Sequence, residues 1–208
     1  MATQAEYKKT DRRMLIVVIS LSLLLLIVAA LLLILFQKDA GPGGTPDFEF
    51  ADPALSADPT QDSDYMDLDR AVYYRTLVGY EVTVPVPSED ADGFDSELLL
   101  LVRMIRAVMA GDLSTYRTCF SPEYLTEVGE IAPFTKQKLY DITVTHYHDA
   151  DVNVPTGYTS VVCYGVAYKI KDNNGSFRND LGSDAVREQV YFVVKDAAGS
   201  VSVYGIRG

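Results

Sequence analysis

Residues 14–36 form an uninterrupted apolar run, and this run constrains the chain more than any other feature. Its 23 positions include two serines and no charged side chain. As a helix with a rise of about 1.5 Å per residue it is about 34 Å long, slightly more than the roughly 30 Å hydrocarbon core of a bilayer. It is longer than the apolar stretch of a secretory signal, and no small-residue cleavage site follows it. The sequence therefore predicts an uncleaved single transmembrane helix over residues 14–36, with the lipid bilayer as its partner.

The charges on either side of this run predict its orientation. Residues 1–13 carry four basic and two acidic side chains, whereas Lys38 is the one basic residue that closely follows the run. The positive-inside rule makes residues 1–13 a cytoplasmic tail and places the C-terminal part outside the cytoplasm, on a single-pass protein of the cell membrane. Because the whole chain has a net charge of −11, the outer part is acidic, which argues against nucleic acid as a partner.

The composition changes after the apolar run. Residues 37–69 are rich in Gly, Pro, Ala and Asp, so the sequence predicts a disordered acidic linker there. Residues 70–94 form an extension with weaker signals. Within it, residues 80–87 alternate like a strand whose two prolines confine it to a sheet edge, whereas residues 67–78 begin with the spacing of a short helix.

Helical signals become clear from residue 96 onward. Residues 96–110 predict a helix that is apolar on most sides, interrupted by Arg103 and Arg106 alone, and such a helix needs cover from a sheet and other helices. Gly111 is suited to end this helix, and Asp112 to cap the next one. A serine followed by proline and glutamate at Ser121 marks the start of a third helix.

The remainder of the chain predicts strands. Alternation is found over residues 140–148, 159–171, 188–195 and 200–206. Helices followed by strands predict an α+β domain over residues 95–208, with N-terminal helices packed on one face of a curved antiparallel sheet of about four strands. The polar segment between the second and third of these strands is expected to be a mobile hairpin tip.

A resemblance to a known family rests on the stretch from Ile105 to Leu125. There a long helix ends in Gly-Asp, a second helix carries aromatic residues, and a Phe-Ser-Pro step leads toward the sheet. This order resembles the NTF2-like (cystatin-like cone) superfamily over residues 95–208. Together with the short tail and the single span, it resembles bacterial envelope and secretion-assembly proteins. The resemblance implies a fold and no single activity, because the family includes isomerases, dehydratases, ligand carriers and non-catalytic assembly modules.

The two histidines are the candidate metal ligands. His146 and His148 lie on one face of a predicted strand, with Asp149 beside them. Two imidazoles and a carboxylate are ligands that a divalent metal accepts. The alternative is that both histidines lie at a strand end near solvent and hold no metal. We predict no cofactor.

Residues for catalysis are sparse. A triad that needs histidine would have to use this one strand, and no Gly-x-Ser-x-Gly elbow is present, so we assign no catalytic residue. Isomerase chemistry in the NTF2-like family implies a carboxylate inside the cone with tyrosine donors opposite. Tyr116, Tyr140 and Tyr164 are therefore candidate pocket residues, and ordinary packing of half-buried tyrosines is the alternative.

The two cysteines leave their pairing open. Cys119 closes a predicted helix, and Cys163 lies in the middle of a predicted strand. A disulfide between helix and sheet and two separately buried thiols are both consistent with the sequence.

Two functional hypotheses from different classes follow. The first is a membrane-anchored, extracytoplasmic and non-catalytic NTF2-like interaction module that binds a protein partner or another component of the envelope. The second is an NTF2-like cone that binds a small ligand or acts as an isomerase-type or dehydratase-type enzyme. A deep pocket with converging polar groups would favour the second hypothesis, and a filled interior the first.

Overall fold

Most of the described helices precede most of the described strands along the chain. The computed structural model describes residues 48–76, 81–148 and 152–208. Two 3₁₀ turns, Pro53–Ser56 and Pro59–Gln61, come first. The elements that follow are α1 (Ser63–Met66), β1 (Val72–Thr76), β2 (Val82–Val86), α2 (Ser96–Ala110), α3 (Leu113–Thr118), α4 (Pro122–Val128), β3 (Lys138–Tyr147), β4 (Tyr158–Lys171), β5 (Gln189–Asp196) and β6 (Val201–Arg207).

The strands form one mixed sheet in the order β2-β1-β3-β4-β5-β6. Strands β1 and β3 are parallel, and the other neighbouring strands are antiparallel. The prediction of an antiparallel sheet of about four strands is therefore wrong in strand number and in sheet type.

The source of the error is the segment of β1, where the spacing of Leu68 and Val72 predicts a helix. The β-branched and aromatic residues of this segment instead pair with a strand about 70 residues later in the chain, from Val72 beside Ile142 to Thr76 beside His146. The expectation for residues 80–87 is confirmed in part, since β2 is an edge strand and contains Pro85.

Helix α2 supplies one side of the core. It has the predicted bounds, and nine of its 15 residues are buried. It packs on the face of the sheet that carries Ile142, Val144, Val166 and Val193, all fully buried. It ends at Gly111 with a φ of 67°, where a Cβ would be 2.8 Å from the backbone nitrogen of Lys136, just before β3, so only glycine fits.

Residues 48–69 pack against this domain, although their composition predicts a disordered linker. Tyr65 is buried, and its hydroxyl donates a hydrogen bond to the carbonyl oxygen of Leu139 at 3.0 Å. Asp62 forms ion pairs with Lys138 at 2.7 Å and with Lys171 at 3.0 Å. These partners lie in β3 and β4, so contacts distant in sequence stabilise a segment that has little apolar surface of its own.

The loop between β4 and β5 also packs inward, where the sequence predicts a mobile tip. Asn173 is fully buried, and its side-chain amide donates hydrogen bonds to the carbonyl oxygens of Arg178 and Leu181 at 2.8 and 2.6 Å. The Asn173 side chain thus satisfies backbone carbonyl groups of the loop that no neighbouring strand bonds. These hydrogen bonds hold in place a polar loop for which the sequence pattern predicts mobility.

The predicted tail over residues 1–13, the predicted transmembrane helix over residues 14–36 and the first part of the predicted linker lie outside the described residues. Within the ranges given above, no helix has both the length and the apolar character needed to cross a membrane.

Candidate functional site

Aromatic rings fill the space between α3 and the end of the sheet. The ring of Tyr116 lies 5.0 Å from Phe120, 5.3 Å from Phe134 and 5.7 Å from Phe177, all edge to face. Phe134 and Phe177 are 5.2 Å apart, and Tyr191 is buried in the same core. Contacts of this geometry are typical of a packed core. Tyr116, a predicted pocket residue, is thus packed among the rings of the core.

A buried arginine lies beside these rings and is satisfied within the chain. The guanidinium of Arg178 donates to both carboxylate oxygens of Asp180, at 2.6 and 2.8 Å, and to the hydroxyl of Tyr168 at 3.2 Å. The hydrogen bond from Arg178 lowers the pKa of Asp180. Three N–H groups of Arg178 and both carboxylate oxygens of Asp180 are therefore used in bonds within the chain.

The other two candidate pocket tyrosines have partners of their own. Tyr140 donates a hydrogen bond to Asp184 at 2.8 Å, and burial together with this bond raises its pKa to about 12. Tyr164 is buried, its pKa is raised by burial, and its ring stacks on His146 at 4.9 Å. No ring contact among the described residues joins any two of Tyr116, Tyr140 and Tyr164.

The two histidines lie together where β1 meets β3, as their spacing predicts. Their ring centres are 3.7 Å apart. Nδ1 of His146 is 3.3 Å from the hydroxyl of Tyr74, and Nε2 of His148 is 2.9 Å from the hydroxyl of Thr76. Asp149 lies outside the described residues, and among those described no group of three His, Cys, Asp or Glu side chains is arranged to hold a metal.

The structure answers the question of the cysteines. Cys119 and Cys163 are both free and buried, which agrees with the alternative of two separately buried thiols. Burial raises the pKa of both thiols, and the Sγ of Cys119 lies 3.4 Å from the carbonyl oxygen of Thr115. These are features of structural thiols and not of nucleophiles.

Three clefts in the described part of the chain lie away from the candidate tyrosines. Clefts of about 640, 370 and 750 Å³ contain none of the three. The 750 Å³ cleft runs along residues 54–64 and is lined by the carboxylates and ammonium groups of the Asp62 ion pairs. Its charged groups are therefore largely used within the chain.

The 640 Å³ cleft has a different character, and we name it the arginine cleft. It lies between the β1–β2 hairpin and the C-terminal end of α2. Val72, Val86 and Met109 are apolar residues of its lining, and Arg70 and Arg106 are its charged residues.

Both arginines of this cleft lack an acidic partner in the part of the chain that the structure describes. Arg106 donates a hydrogen bond to the carbonyl oxygen of Pro87 at 2.6 Å, and the guanidinium of Arg70 lies 5.6 Å from the ring of Tyr65. The Nε of Arg70 is buried without a hydrogen-bond partner. Among the described residues no carboxylate is within 4.0 Å of either guanidinium. In the sequence Arg106 stands out as a charge in an apolar helix, whereas nothing marks Arg70.

No protein-family model, no curated protein and no solved structure matches the chain. The resemblance to the NTF2-like superfamily therefore stays a prediction from the sequence pattern.

Proposed function

We propose that this chain is a non-catalytic interaction module of the NTF2-like type, held on the outer side of a cell membrane, where it binds a protein partner of the envelope. The membrane location rests on the sequence of residues 14–36 and on the charges that flank it. The NTF2-like assignment rests on the order of elements, in which a long helix ending in Gly-Asp precedes the main strands.

The observation that carries the proposal is the filled interior. Tyr116, Tyr168 and Tyr191 are each at least nine-tenths buried, and the loop residues Phe134 and Phe177 pack against Tyr116. A binding or catalytic cone needs a concave space with a few polar groups aimed into it. Here the polar groups of Arg178 and Asp180 are bonded to each other. The filled interior therefore favours a domain that acts as a scaffold and binds its partner at the surface.

The alternative is a cone that holds a small ligand. It would require open space where the aromatic rings around Tyr116 now pack. An apolar ligand of drug-like size would have to displace aromatic rings that contact one another at 5.0 to 5.7 Å. Such displacement would remove favourable contacts between buried rings and so destabilise the core.

The two hypotheses are separated by photo-crosslinking in living cells, followed by native mass spectrometry of the full chain. A photoreactive amino acid is placed singly at exposed positions spread over the domain: Leu55, Pro87, Val128, Val154 and Val186. We expect a discrete protein adduct from at least one position and no small molecule on the purified chain. A stoichiometric small molecule with no protein adduct from any position would refute the proposal.

A further inference from the structure

We propose that the arginine cleft binds an extended acidic peptide segment of the partner protein. The inference rests on the proposed function, and it adds both the surface and the chemistry of the partner. The cleft is the region defined above, in which Arg70 and Arg106 accompany an apolar lining beside the edge strand β2.

Charge complementarity is the first argument. The chain has 29 acidic and 18 basic residues, and several of its basic side chains are paired with carboxylates. Among the described basic side chains without a carboxylate within 4.0 Å, Arg70 and Arg106 line the same cleft. A guanidinium is suited to a carboxylate because its N–H groups match the two oxygens of the acid.

Asp90 is affected by the charge of Arg106 but does not form an ion pair with it. The pKa of Asp90 is lowered by its hydrogen bond to Ser88 and, to a smaller extent, by the charge of Arg106. In the described part of the chain, however, no ion pair within 4.0 Å is formed by Arg106. Its one hydrogen bond, to the carbonyl oxygen of Pro87, uses a single N–H group and leaves others for a ligand.

The size and lining of the cleft indicate a peptide. A volume of about 640 Å³ lies within the range of small-ligand sites and admits a few side chains. Leu68, Pro85 and Met109 belong to the lining and are not buried, so they offer apolar surface to an occupant. An occupant that alternates acidic and apolar side chains would satisfy both features, as an extended strand-like segment does.

Backbone pairing with β2 is not expected to be the main source of affinity. Pro85 lies within β2 and Pro87 directly follows it, and neither has a backbone N–H to donate to an added strand. Recognition would then depend on the arginine side chains. An anionic membrane surface would contact the same two arginines, and the vesicle measurement below distinguishes it from a peptide.

The test uses the full chain in detergent micelles and a fluorescein-labelled peptide of alternating Asp and Leu, with fluorescence anisotropy as the measurement. A peptide with Asn in place of each Asp is the ligand control. Arg70→Gln, Arg106→Gln and the double variant are compared with Arg117→Gln, which removes the same charge from an exposed site outside the cleft lining.

We expect the acidic peptide to bind, the Asn peptide to bind at least about tenfold more weakly, and the double variant to lose about tenfold in affinity while Arg117→Gln retains it. Arg106 is exposed, so its single variant should keep the wild-type melting temperature and show part of the loss. No binding, equal binding of the Asn peptide, or equal losses in the double and control variants would overturn the inference. Arginine-dependent binding to phosphatidylglycerol vesicles, without binding of the peptide, would overturn it as well.

The two proposals fail in different ways. If the peptide does not bind but crosslinks form at positions other than Pro87, the interaction module stands and its surface lies elsewhere. If no protein adduct forms at any position and a small molecule is found, the interaction module itself is refuted.

Discussion

The carboxylate of Glu188 lies directly over the backbone of Gly165. An ideal Cβ at Gly165 would come within 2.6 Å of the Glu188 carboxyl carbon and 2.8 Å of the Tyr147 hydroxyl. That hydroxyl donates a hydrogen bond to Glu188, which is the main reason that the pKa of Tyr147 is raised to about 12. The missing side chain of β4 thus makes room for a polar contact between β3 and the segment before β5.

Replacing Gly165 with alanine should therefore destabilise the domain. The added methyl must displace the side-chain end of Glu188 or Tyr147 and so break the hydrogen bond between them, and we expect a loss of about 0.5–1.5 kcal/mol in the free energy of unfolding, measured by urea denaturation. Gly205→Ala is the matched control, since its Cβ would have only an ordinary contact of 3.6 Å with Phe192. Equal effects of the two substitutions would contradict this account of Gly165.

Asp62→Asn should destabilise the domain through Lys138. The ammonium of Lys138 is 3% exposed and contacts Asp62 at 2.7 Å and Asp172 at 2.8 Å. Removing one of two acids from a buried cation leaves its charge less compensated, which should cost about 2–3 kcal/mol in chemical denaturation. Asp64→Asn, at an exposed position of the same helix, should stay within about 0.5 kcal/mol of wild type. A wild-type midpoint for Asp62→Asn would show that this ion pair is dispensable.

The same group predicts an acid-sensitive contribution to stability. Hydrogen bonds from Lys138 and Lys171 hold the pKa of Asp62 well below its usual value. Because folding lowers this pKa, the contribution is fully present above the unfolded pKa of about 3.9 and is lost as the pH falls toward the lower folded value. Urea midpoints measured between about pH 5 and pH 2.5 should fall less steeply in Asp62→Asn than in wild type.

A second pH dependence, in a milder range, is expected from the histidine pair. Burial, and then the charge of His148, lower the pKa of His146, against the opposing attraction of Asp95 and Glu97. The unfolded chain therefore binds protons more tightly at this site. The contribution of neutral His146 is complete above the unfolded pKa of about 6.5 and is lost as the pH falls through the folded value.

Unfolding midpoints between about pH 7.5 and pH 5 measure this effect. We expect His146→Gln to flatten the curve, whereas His148→Gln should retain a shallower decline, because His146 then titrates without a neighbouring cation. A wild-type decline that persists unchanged in His146→Gln would assign it to another group.

The cysteines should resist modification in the folded protein. Cys119 and Cys163 are at most 3% exposed, and burial raises the pKa of both thiols. Because the thiolate is the reactive form, iodoacetamide should label both rapidly only after denaturation, as read by intact-protein mass spectrometry. A mass loss of two hydrogens in the purified protein, reversed by reductant, would instead reveal a disulfide.

Local sequence was enough to locate those helices and strands whose periodicity and end signals lie within the element itself. The apolar pattern of residues 96–110 and the glycine that follows predict α2 with its observed bounds. The four alternating segments from residue 140 onward correspond to β3 to β6, because alternation with buried faces is a property of each strand. The shared position of His146 and His148 followed from the same periodicity.

Long-range contacts determined what local sequence left open or misrepresented. Strand β1 exists because β3 lies beside it, and the segment around Asp62 packs because Lys138 and Lys171 meet it. The filled interior also depends on a loop that folds inward through Asn173. Apart from the loop contacts of Asn173, these contacts join residues that are far apart in the sequence. Interactions between distant residues leave no pattern in the local sequence from which they could be predicted.

The sequence by itself thus determined the acidic character of the chain, its apolar run of 23 residues, its long core helix and the strands that follow. Only the tertiary structure decided that the sheet is mixed and six-stranded, that the candidate tyrosines have separate partners, and that Arg70 joins Arg106 at one cleft. The physical reason is that helix and strand periodicity is a short-range property of a chain. Burial and the pairing of charges depend on which distant residues meet.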